Sequence, residues 1–598
     1  MSSAPECAAR PPSHAQVLVI GGGPAGSYAA AALAREGLSV VLLEAAKFPR
    51  YHIGESLIPS IRPYLNFIGA EEKLANHGFA YKPGSAIKFN QYKREGYTDF
   101  VALGHKNHAW NVVRSEFDQM LLNHARSAGV GVYEQTRVQS INFSQDDPSR
   151  PVSVQWSHTA PSLPMTPPES PTAGAFLLDY VRRVSFSTPQ PPSTPPISES
   201  FEGKTTFDYV VDASGRTGVM AGYLKNRKFN ESLRNIAIWG YWTRTGTYGK
   251  GTSREGAPWF EALADETGWA WFIPLHTGQT SVGIVMSKEA HRRKFNNTCP
   301  PTPRSSRPCV PPLETSPLSL LDNYERSLEL APGLRDLLGP NARLDRRSIK
   351  SASDYSYSSP SYAGPGYRLV GDAGCFIDPL FSSGIHLACT SALSAAASIC
   401  AEVRGDCNGA LAENWHTRRV STSYTRFQLV VLSAYKQIRS QKVDVLCEFE
   451  EDNFDRAFQL IRPVIQGASD MGTQLSEPEL QRCLDFCVKL FNPTTPDQHS
   501  KLEEKDYFTP EFLDVTHPVM DPSLLELALR NVQTTLDADE VDDERMVLQK
   551  INARRLMHRE YGINNMESEV LDGWSVRLVR GKLGLRSLSV CTVAGEGA

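Results

Sequence analysis

The chain has 598 residues, a formal net charge of −4 at pH 7 and 41% hydrophobic residues. This length corresponds to roughly two to four structural units, or to one large α/β enzyme with additions, and the composition excludes a wholly disordered chain. Because acidic and basic residues nearly balance, electrostatics give no reason to expect nucleic acid as the main partner.

The N-terminal region predicts a β-α-β unit. Residues 16–20 form a short apolar run that ends in glycines, as in a strand buried on both faces. A helical stretch follows at 27–36, and residues 39–44 have the pattern of a second strand. A strand, a helix and a strand in this order imply a parallel sheet with right-handed crossovers.

The turn between the first strand and the helix has the spacing of a dinucleotide-binding loop. Gly21 permits the tight turn, Gly23 lets the backbone approach a pyrophosphate, and Gly26 lets the helix pack against the strand. The helix N-terminus, with Ala25 in its first turn, supplies free N–H groups for phosphate. Glu44 ends the second strand, where a carboxylate can bind ribose hydroxyls. The loop alone does not distinguish FAD from NAD.

Two later segments repeat the arrangement of an apolar strand followed by a glycine turn. Asp212 and Asp372 each stand beside glycine after such a strand, where a carboxylate can accept hydrogen bonds from ribityl hydroxyls. The sequence contains no second GxGxxG loop. That argues against a separate Rossmann domain for a nicotinamide cofactor.

Two stretches differ from the rest in composition. Twelve prolines lie between Pro148 and Pro196, and seven lie within 296–317. Such stretches bury too little apolar surface to order themselves, so we expect surface insertions. Retained intron sequence is an alternative origin that the sequence leaves open.

The C-terminal part is mostly helical in pattern. The run 384–403 is as long as a membrane span, but His386 and several hydroxyl side chains interrupt it, so we expect none. The basic tail at 574–586 is partly amphipathic and would suit a protein that binds membrane surfaces. Because Gly581 and Gly584 weaken a helix there, a packed C-terminal segment is the favoured interpretation.

Five segments carry a resemblance to a known family. They are GESLIP at 54–59, FAYKPGSAIKF at 79–89, WNVVRSEFDQML at 110–121, GWAWFIP at 268–274 and DPLFSSGIH at 378–386. Together with the N-terminal loop they resemble the FAD-dependent aromatic monooxygenase superfamily, in which WxWxIP is typical of the flavin-dependent halogenases. The stretch EDNFDRAFQLIRPVIQGASD is similar to the C-terminal region of fungal halogenases that act on aromatic polyketides.

This resemblance implies an α/β fold. It consists of an FAD-binding Rossmann-like domain with an inserted substrate-binding β-sheet and a mostly helical C-terminal region. The corresponding divisions are a flexible N-terminus (1–15), the FAD-binding part (16–143), a proline-rich insertion (144–205), the sheet with WxWxIP (206–290), a proline-rich loop (291–317), an FAD- and chloride-binding part (318–405) and the helical C-terminal region (406–598).

The resemblance also implies the cofactor and its ligands. FAD would be bound by the N-terminal loop together with Glu55, Arg114, Asp372 and Ile385. FADH2 would come from a separate reductase, with chloride and O2 as co-substrates. For Arg114, an ordinary ion pair at a helix start is the alternative interpretation.

A lysine is the implied catalytic residue. A lysine before a turn is ordinarily exposed and inert, but in halogenases one that precedes a glycine and a strand projects between flavin and substrate. Lys82 matches that position, and Lys88 is a weaker candidate. The implied reaction forms HOCl, which Lys82 holds or carries as a chloramine and directs onto an electron-rich ring.

Two further motifs are implied to shape the site. Ser383 and Gly384 match the chloride site, where a glycine turn at a helix start offers N–H groups to an anion. The two tryptophans of WxWxIP, Trp269 and Trp271, lie on one side of a strand and would separate flavin from substrate. Tryptophan halogenases have a glutamate where this chain has Phe381, so we expect a phenolic substrate, whose oxygen stabilises the ring cation.

Other questions stay open at this point. His52, His386 and Glu55 are all candidates for the base that acts on the phenol. The main alternative function is an FAD-dependent aromatic monooxygenase that uses NAD(P)H itself, against which the tryptophan pair and Lys82 argue. We expect a cytoplasmic enzyme with reduced thiols and no metal site, because the 11 cysteines include no CxxC pair and residues 1–15 lack an apolar secretory core. Its aromatic substrate arrives free or bound to a carrier.

Overall fold

A computed structural model gives the structure of the protein. It describes residues 10–159, 200–295, 319–439 and 570–587, with gaps at 93–94, 102–104, 231–232 and 354–355, and short pieces between 441 and 552. The segment at 451–470 that resembles fungal halogenases lies outside the described residues.

The described strands and helices are numbered in chain order. The strands are β1 (His14–Ile20), β2 (Val40–Leu43), β3 (Ala80–Lys82), β4 (Gly84–Lys88), β5 (Gly96–Asp99), β6 (Ala109–Asn111), β7 (Gly131–Tyr133), β8 (Thr136–Phe143), β9 (Pro151–Thr159), β10 (Ser200–Asp212), β11 (Lys228–Phe229), β12 (Asn235–Thr243), β13 (Trp259–Ala262), β14 (Gly268–Pro274), β15 (Gln279–Ser287), β16 (Arg343–Ser353), β17 (Tyr357–Ser358), β18 (Ala363–Gly364), β19 (Tyr367–Leu369), β20 (Trp574–Arg577) and β21 (Gly584–Ser587). The helices are α1 (Pro24–Arg35), α2 (Ile61–Ile68), α3 (Glu71–Ala75), α4 (Arg114–Ser127), α5 (Val219–Leu224), α6 (Lys288–Phe295), α7 (Leu320–Leu328), α8 (Pro332–Leu338), α9 (Gly384–Arg404), α10 (Gly409–Ile438) and α11 (Pro510–Leu513).

The first sheet is built on parallel strands and confirms the predicted fold class. Its order is β18-β19-β10-β1-β2-β7, and β1 pairs in parallel with both β10 and β2. Val17, Leu18 and Val19 of β1 are fully buried, which is why this strand is apolar on both faces rather than alternating. The β-α-β unit predicted from 16–44 is therefore present.

Helix α9 lies in the core beside this sheet. It is the one described helix that is long and apolar enough to cross a membrane, but 94% of its most apolar window is buried inside the protein. It packs on α1 and α10 through small side chains such as Ala392, Ala395 and Ala396. Its apolar length is thus accounted for by burial against protein, as expected for a core helix.

The second sheet is mostly antiparallel and carries the tryptophan motif. Its order is β16-β12-β15-β14-β13-β4-β5. Along β14 the side chains alternate between two cores, since Trp269 and Trp271 pack with α10, whereas Ala270 and Phe272 pack with α7 and α8. The period of two in a strand therefore sets both indoles on one face, as predicted.

The limits of the proline-rich segments differ from the prediction. Within 144–205, residues 151–159 form β9, which pairs antiparallel with β8 and with β10. These residues order because β9 is a strand of the first sheet, and its side chains Val154 and Trp156 are buried in the core. Residues 291–295 likewise belong to α6. Of the two proline-rich segments, residues 160–199 and 296–317 lie outside the described residues.

The C-terminal region is not uniformly helical. Strands β20 and β21 form an antiparallel hairpin, and Gly581 between them has a φ of 74°, a conformation that glycine adopts without strain. Val576, Leu583 and Leu585 are buried in the core that contains α9. The basic tail is therefore a packed hairpin, in agreement with the favoured interpretation of a packed segment, although it lies within the region 406–598 that was assigned as helical.

Candidate active site

The predicted dinucleotide loop lies between β1 and α1. Gly21 has a φ of 103° and its Cα faces the Ala213 carbonyl, so that a Cβ would collide with it. A Cβ at Gly26 would collide with the Gly21 carbonyl. Both glycines are thus required by close approach, and the first-turn N–H groups of α1 point outward from the loop. This cradle fits the pyrophosphate of a dinucleotide.

The carboxylate predicted for ribose lies beside the loop. Glu44 is buried, its Oε2 accepts from the Gly22 N–H at 2.6 Å and its Oε1 accepts from the Ala46 N–H at 2.7 Å. Sequence reasoning missed Arg50, whose guanidinium lies 3.3 Å from the position of a Cβ on Gly23. Arg50 bonds to Asp118 Oδ2 at 3.1 Å, and its place beside the loop would bring a positive charge to phosphate.

Arg114 forms an ion pair at the start of a helix, which was the alternative interpretation of this residue. Its Nε and Nη2 donate to the two carboxylate oxygens of Asp118, at 2.8 and 3.1 Å. Its Nη1 donates to the carbonyl of Ile53 at 2.8 Å. The guanidinium therefore anchors the chain just before Glu55, so a contribution of Arg114 to the flavin site runs through this segment.

Asp212 and Asp372, which follow the two later strands, differ in whether their carboxylates already accept hydrogen bonds from the protein. Asp212 is fully buried and its oxygens accept from the Ser214 N–H and hydroxyl and from the Met220 N–H. Among the described residues, the Asp372 carboxylate has no such partner; burial raises its pKa to about 6, although nearby arginines favour the charged form. Asp372 is therefore the better placed to bind a hydroxyl. A Cβ on its neighbour Gly371 would lie 2.9 Å from Ala25.

Lys82 is buried rather than exposed. It ends β3, its side chain is 1% exposed, and its Nζ donates to Ser56 Oγ at 2.8 Å and to the Leu57 carbonyl at 2.7 Å. The structure thus brings two predicted segments, GESLIP and FAYKPGSAIKF, into direct contact. Burial lowers the pKa of Lys82 to about 7 because it penalises the charged form. Lys88 lies in β4 opposite Glu261 and is half-buried.

Glu55 is part of a hydrogen-bonded chain that the sequence did not reveal. The Tyr241 hydroxyl donates to Glu55 Oε1 at 2.6 Å and lies 3.2 Å from the hydroxyl of Tyr51. Glu55 Oε2 is buried and has no hydrogen-bond partner among the described residues. Burial raises the pKa of Glu55 to about 7, against the opposing effects of Tyr241, Ser281 and Arg114.

The predicted halide loop has the features of an anion site. Ser382 adopts a left-handed conformation with a φ of 57°, which turns the chain into the N-terminus of α9 at Gly384. Ser383 is fully buried, yet its Oγ meets no partner among the described residues. A Cβ on Gly384 would meet open space, with nothing within 4 Å. An unsatisfied hydroxyl beside a helix N-terminus fits a small anion, and Ile385 follows, 8% exposed, in the first turn.

The tryptophan pair is tied to this loop by a residue from α10. The ring centroids of Trp269 and Trp271 are 5.8 Å apart. Trp269 Nε1 donates at 2.9 Å to the Tyr435 hydroxyl, which donates at 2.7 Å to Asp378 at the start of the loop. Sequence reasoning missed Tyr435, since nothing in the pattern of α10 marks it.

The three candidate bases have unequal surroundings. His52 Nδ1 is 2.6 Å from the Ile53 carbonyl, and burial lowers the pKa of this histidine to about 4. His386 is buried with its Nδ1 2.9 Å from Ser60 Oγ, and burial lowers its pKa to about 3. Glu55 is thus the candidate with a free oxygen and a pKa near neutrality.

Within the part of the chain that the structure describes, one group of side chains could hold a metal ion, although the sequence predicted no metal site. It consists of His77, Glu116 and His276, and we call it the His–Glu cluster. Glu116 Oε2 lies 3.6 Å from His77 Nε2 and 3.3 Å from His276 Nε2. These distances also suit partly exposed ion pairs, which explain the cluster without a metal.

Comparison with known proteins identifies relatives that match nearly the whole chain. The family model described as tryptophan halogenase matches residues 16–114 and 198–300. The flavin-dependent halogenase armH1 of Armillaria mellea is 48% identical over 580 residues, which cover 96% of this chain and 98% of that protein. The sulochrin halogenase gedL of Aspergillus terreus is 40% identical over 596 residues, which cover 98% of this chain and 95% of that protein.

Solved structures give the same result. The flavin-dependent halogenase CmlS matches with a TM-score of 0.59 and 25% identity, over 87% of this chain and 78% of its own. The myxobacterial chondrochloren halogenase CndH matches with a TM-score of 0.56 and 25% identity, over 81% of this chain and 99% of its own. Fold, motifs and near full-length similarity together show that the chain belongs to the fungal flavin-dependent halogenases.

Proposed function

We propose that this halogenase chlorinates an electron-rich phenolic ring of a polyketide-type metabolite, using FADH2 from a separate reductase, O2 and chloride. The similarity to a sulochrin halogenase supports this substrate class. Phe381 supports it as well, because a phenol does not need the carboxylate that tryptophan halogenases place there. The bound flavin supplies the oxidising power that turns the halide into an electrophile; the remaining tasks belong to the protein.

The observation that carries the proposal is the environment of Lys82. A pKa near 7 leaves about half of this amine neutral at pH 7. A neutral amine is a nucleophile, and one that is held by Ser56 and Leu57 points in a fixed direction. Lys82 is therefore suited to hold HOCl by a hydrogen bond, or to take its halogen as a chloramine, and to present that halogen to the ring.

The halide would be held at the start of α9. The Ser383 hydroxyl and the N-terminal N–H groups near Gly384 supply donors, and the open space at Gly384 leaves room. Trp269 and Trp271 form a wall of the second sheet, tied to this loop through Tyr435. We propose that this wall keeps the ring away from the flavin, so that the ring is halogenated rather than hydroxylated.

Glu55 is our choice for the acid–base group. Its Oε2 has no partner among the described residues and its pKa is raised to about 7. Glu55 can take the proton of the phenol as the ring attacks the halogen of HOCl. It can also give a proton to the oxygen of HOCl, which then leaves as water. His52 and His386 are already committed to neighbouring oxygen atoms.

The test compares two lysine variants in a reductase-coupled assay with a phenolic polyketide. Lys82→Ala is expected to lower ring chlorination at least 100-fold while O2 consumption stays within about twofold of the wild type. Lys88→Ala is the matched control and is expected to retain most activity, since Lys88 lies in β4 opposite Glu261. Chlorination at the wild-type rate and regioselectivity in Lys82→Ala would refute the role of the lysine.

A further inference from the structure

A chain of hydrogen bonds connects Glu55 to the surface of the protein. Glu55 Oε1 accepts from Tyr241 at 2.6 Å, and the hydroxyls of Tyr241 and Tyr51 are 3.2 Å apart. Trp239 Nε1 lies 2.8 Å from the Tyr51 hydroxyl and donates to it. The inner end is 4% exposed at Glu55 and the outer end is 47% exposed at Tyr51. The chain therefore spans from a buried carboxyl group to solvent.

The direction of the hydrogens along this chain is fixed at its inner end, where Tyr241 donates its single hydrogen to Glu55. An indole N–H can only donate, so the Tyr51 oxygen accepts from Trp239. The Tyr241 hydrogen is committed to Glu55 Oε1. At the remaining contact Tyr51 must then donate to Tyr241, because each phenol has a single hydrogen. All the hydroxyl hydrogens thus point inward, toward Glu55.

The overall reaction requires a proton from outside. Replacing one aryl hydrogen with a halogen, with reduced flavin and O2 as the oxidant system, consumes one halide ion and one proton and yields oxidised flavin and two water molecules. In the acid–base role proposed above, Glu55 gives the cavity one more proton in each turnover than it takes from the ring. An inward-pointing chain is the arrangement that can replace it.

We propose that Tyr51 and Tyr241 form a proton relay that reprotonates Glu55 from solvent. When Glu55 has given its proton to the cavity, the Tyr241 O–H bond breaks and a new O–H bond forms on Glu55 Oε1. The Tyr51 hydrogen passes to the Tyr241 oxygen in the same way, and water reprotonates Tyr51. Each step breaks one O–H bond and forms one, and one proton enters in total.

The surrounding charges are compatible with this transfer. Besides Tyr241 and Ser281, Arg114 faces Glu55 and favours its carboxylate. Lys82 approaches from β3 and bonds to the neighbouring Ser56. At the outer end, Lys350 Nζ lies 4.7 Å from the centre of the Tyr51 ring. Burial raises the pKa of both Tyr51 and Tyr241, so each phenol passes its proton on only as it receives another. The pKa of Glu55, raised to about 7, lets both protonation states be populated at neutral pH.

The experiment removes single hydroxyl groups from the relay. Tyr241→Phe interrupts the chain in the middle and Tyr51→Phe at its outer end, while both keep their rings. Each is expected to slow halogenation at least tenfold, and millimolar imidazole buffer is expected to restore most of the rate, because a small acid can replace a missing relay. Tyr248→Phe is the matched control: its hydroxyl bonds to Glu95 away from this chain, and its rate is expected to stay at the wild-type level and to be insensitive to buffer.

A second measurement does not depend on turnover. Infrared difference spectra of the flavin-free enzyme follow the protonation of Glu55 with pH, with Glu55→Gln identifying the band. Because the hydroxyl of Tyr241 stabilises the carboxylate, Tyr241→Phe is expected to raise the pKa of Glu55 above its wild-type value.

Three results would overturn the relay: wild-type halogenation in Tyr241→Phe, a slow rate that buffer does not restore, or an unchanged titration of Glu55. The relay rests on the proposed function for the acid–base role of Glu55 and for its rate measurements. If the wild type halogenates no phenol, or if Lys82→Ala halogenates normally, the proposed function fails, and the infrared titration still decides the link between Tyr241 and Glu55.

Discussion

Replacing Lys82 with methionine tests the buried amine through protein stability rather than through activity. Methionine keeps the unbranched shape of the side chain but has no titratable group. In the native protein the pKa of Lys82 is lowered by burial from 10.5 to about 7. The unfolded chain exposes the same amine to water, so it binds a proton more tightly than the native chain does.

The sign and size of the effect follow from this difference. Between pH 7 and 10.5 the unfolded state binds more protons at this residue, so wild-type stability rises with pH, and the full penalty applies below pH 7. At about 1.4 kcal/mol for each pKa unit, the penalty is about 5 kcal/mol at low pH, and about 2 kcal/mol of it is relieved between pH 7 and 9. Losing the two hydrogen bonds to Ser56 and Leu57 offsets part of the gain, by about 1–3 kcal/mol.

The measurement is urea unfolding of the wild type and Lys82→Met at pH 7, 8 and 9. From pH 7 to pH 9, the free energy of unfolding of Lys82→Met relative to that of the wild type is expected to fall by about 2 kcal/mol. Lys88→Met controls for the removal of one positive charge from the neighbouring strand. Parallel stability curves for the wild type and Lys82→Met would refute the claim that the amine is buried with a lowered pKa.

Four further outcomes are expected. Deleting 162–197, which spares the paired residues 155–159 of β9, is expected to leave flavin binding intact and to change the free energy of unfolding by about 1 kcal/mol or less; loss of flavin binding would contradict this. Without an added reductase, the enzyme is expected not to consume NADPH, and rapid substrate-stimulated consumption would favour the monooxygenase alternative. Tyr435→Phe removes one hydrogen-bond partner from Trp269 and one from Asp378. The variant is expected to lose about 1–3 kcal/mol of stability, and its chlorination is expected to fall more than its flavin binding. Dialysis against EDTA is expected to leave the Tm and chlorination unchanged, whereas losses of both would make the His–Glu cluster a metal site.

Local patterns in the sequence were sufficient for several features. The glycine loop, the first β-α-β unit and the common face of Trp269 and Trp271 depend on neighbours within a few residues, through turn geometry and the period of two in a strand. These features could be predicted because the interactions that set them are short in sequence.

The tertiary structure decided which of these side chains are available for chemistry. Ser56 stands 26 residues before Lys82, and its contact makes the lysine a buried amine. Glu55 and Tyr241 are 186 residues apart, and Tyr435 lies 166 residues from Trp269. Sheet order and helix packing bring such residues together, and no local pattern encodes a register between distant strands.

The same reason explains the errors. Residues 151–159 looked like part of an insertion because their neighbours are rich in proline, but pairing with β8 and β10 orders them. For residues 574–586 the sequence favoured a packed segment over an amphipathic helix, but only the structure shows a hairpin whose Val576 and Leu585 enter the core around α9. Both segments mix polar and apolar residues. Their conformations were determined by packing against residues that are distant in the sequence.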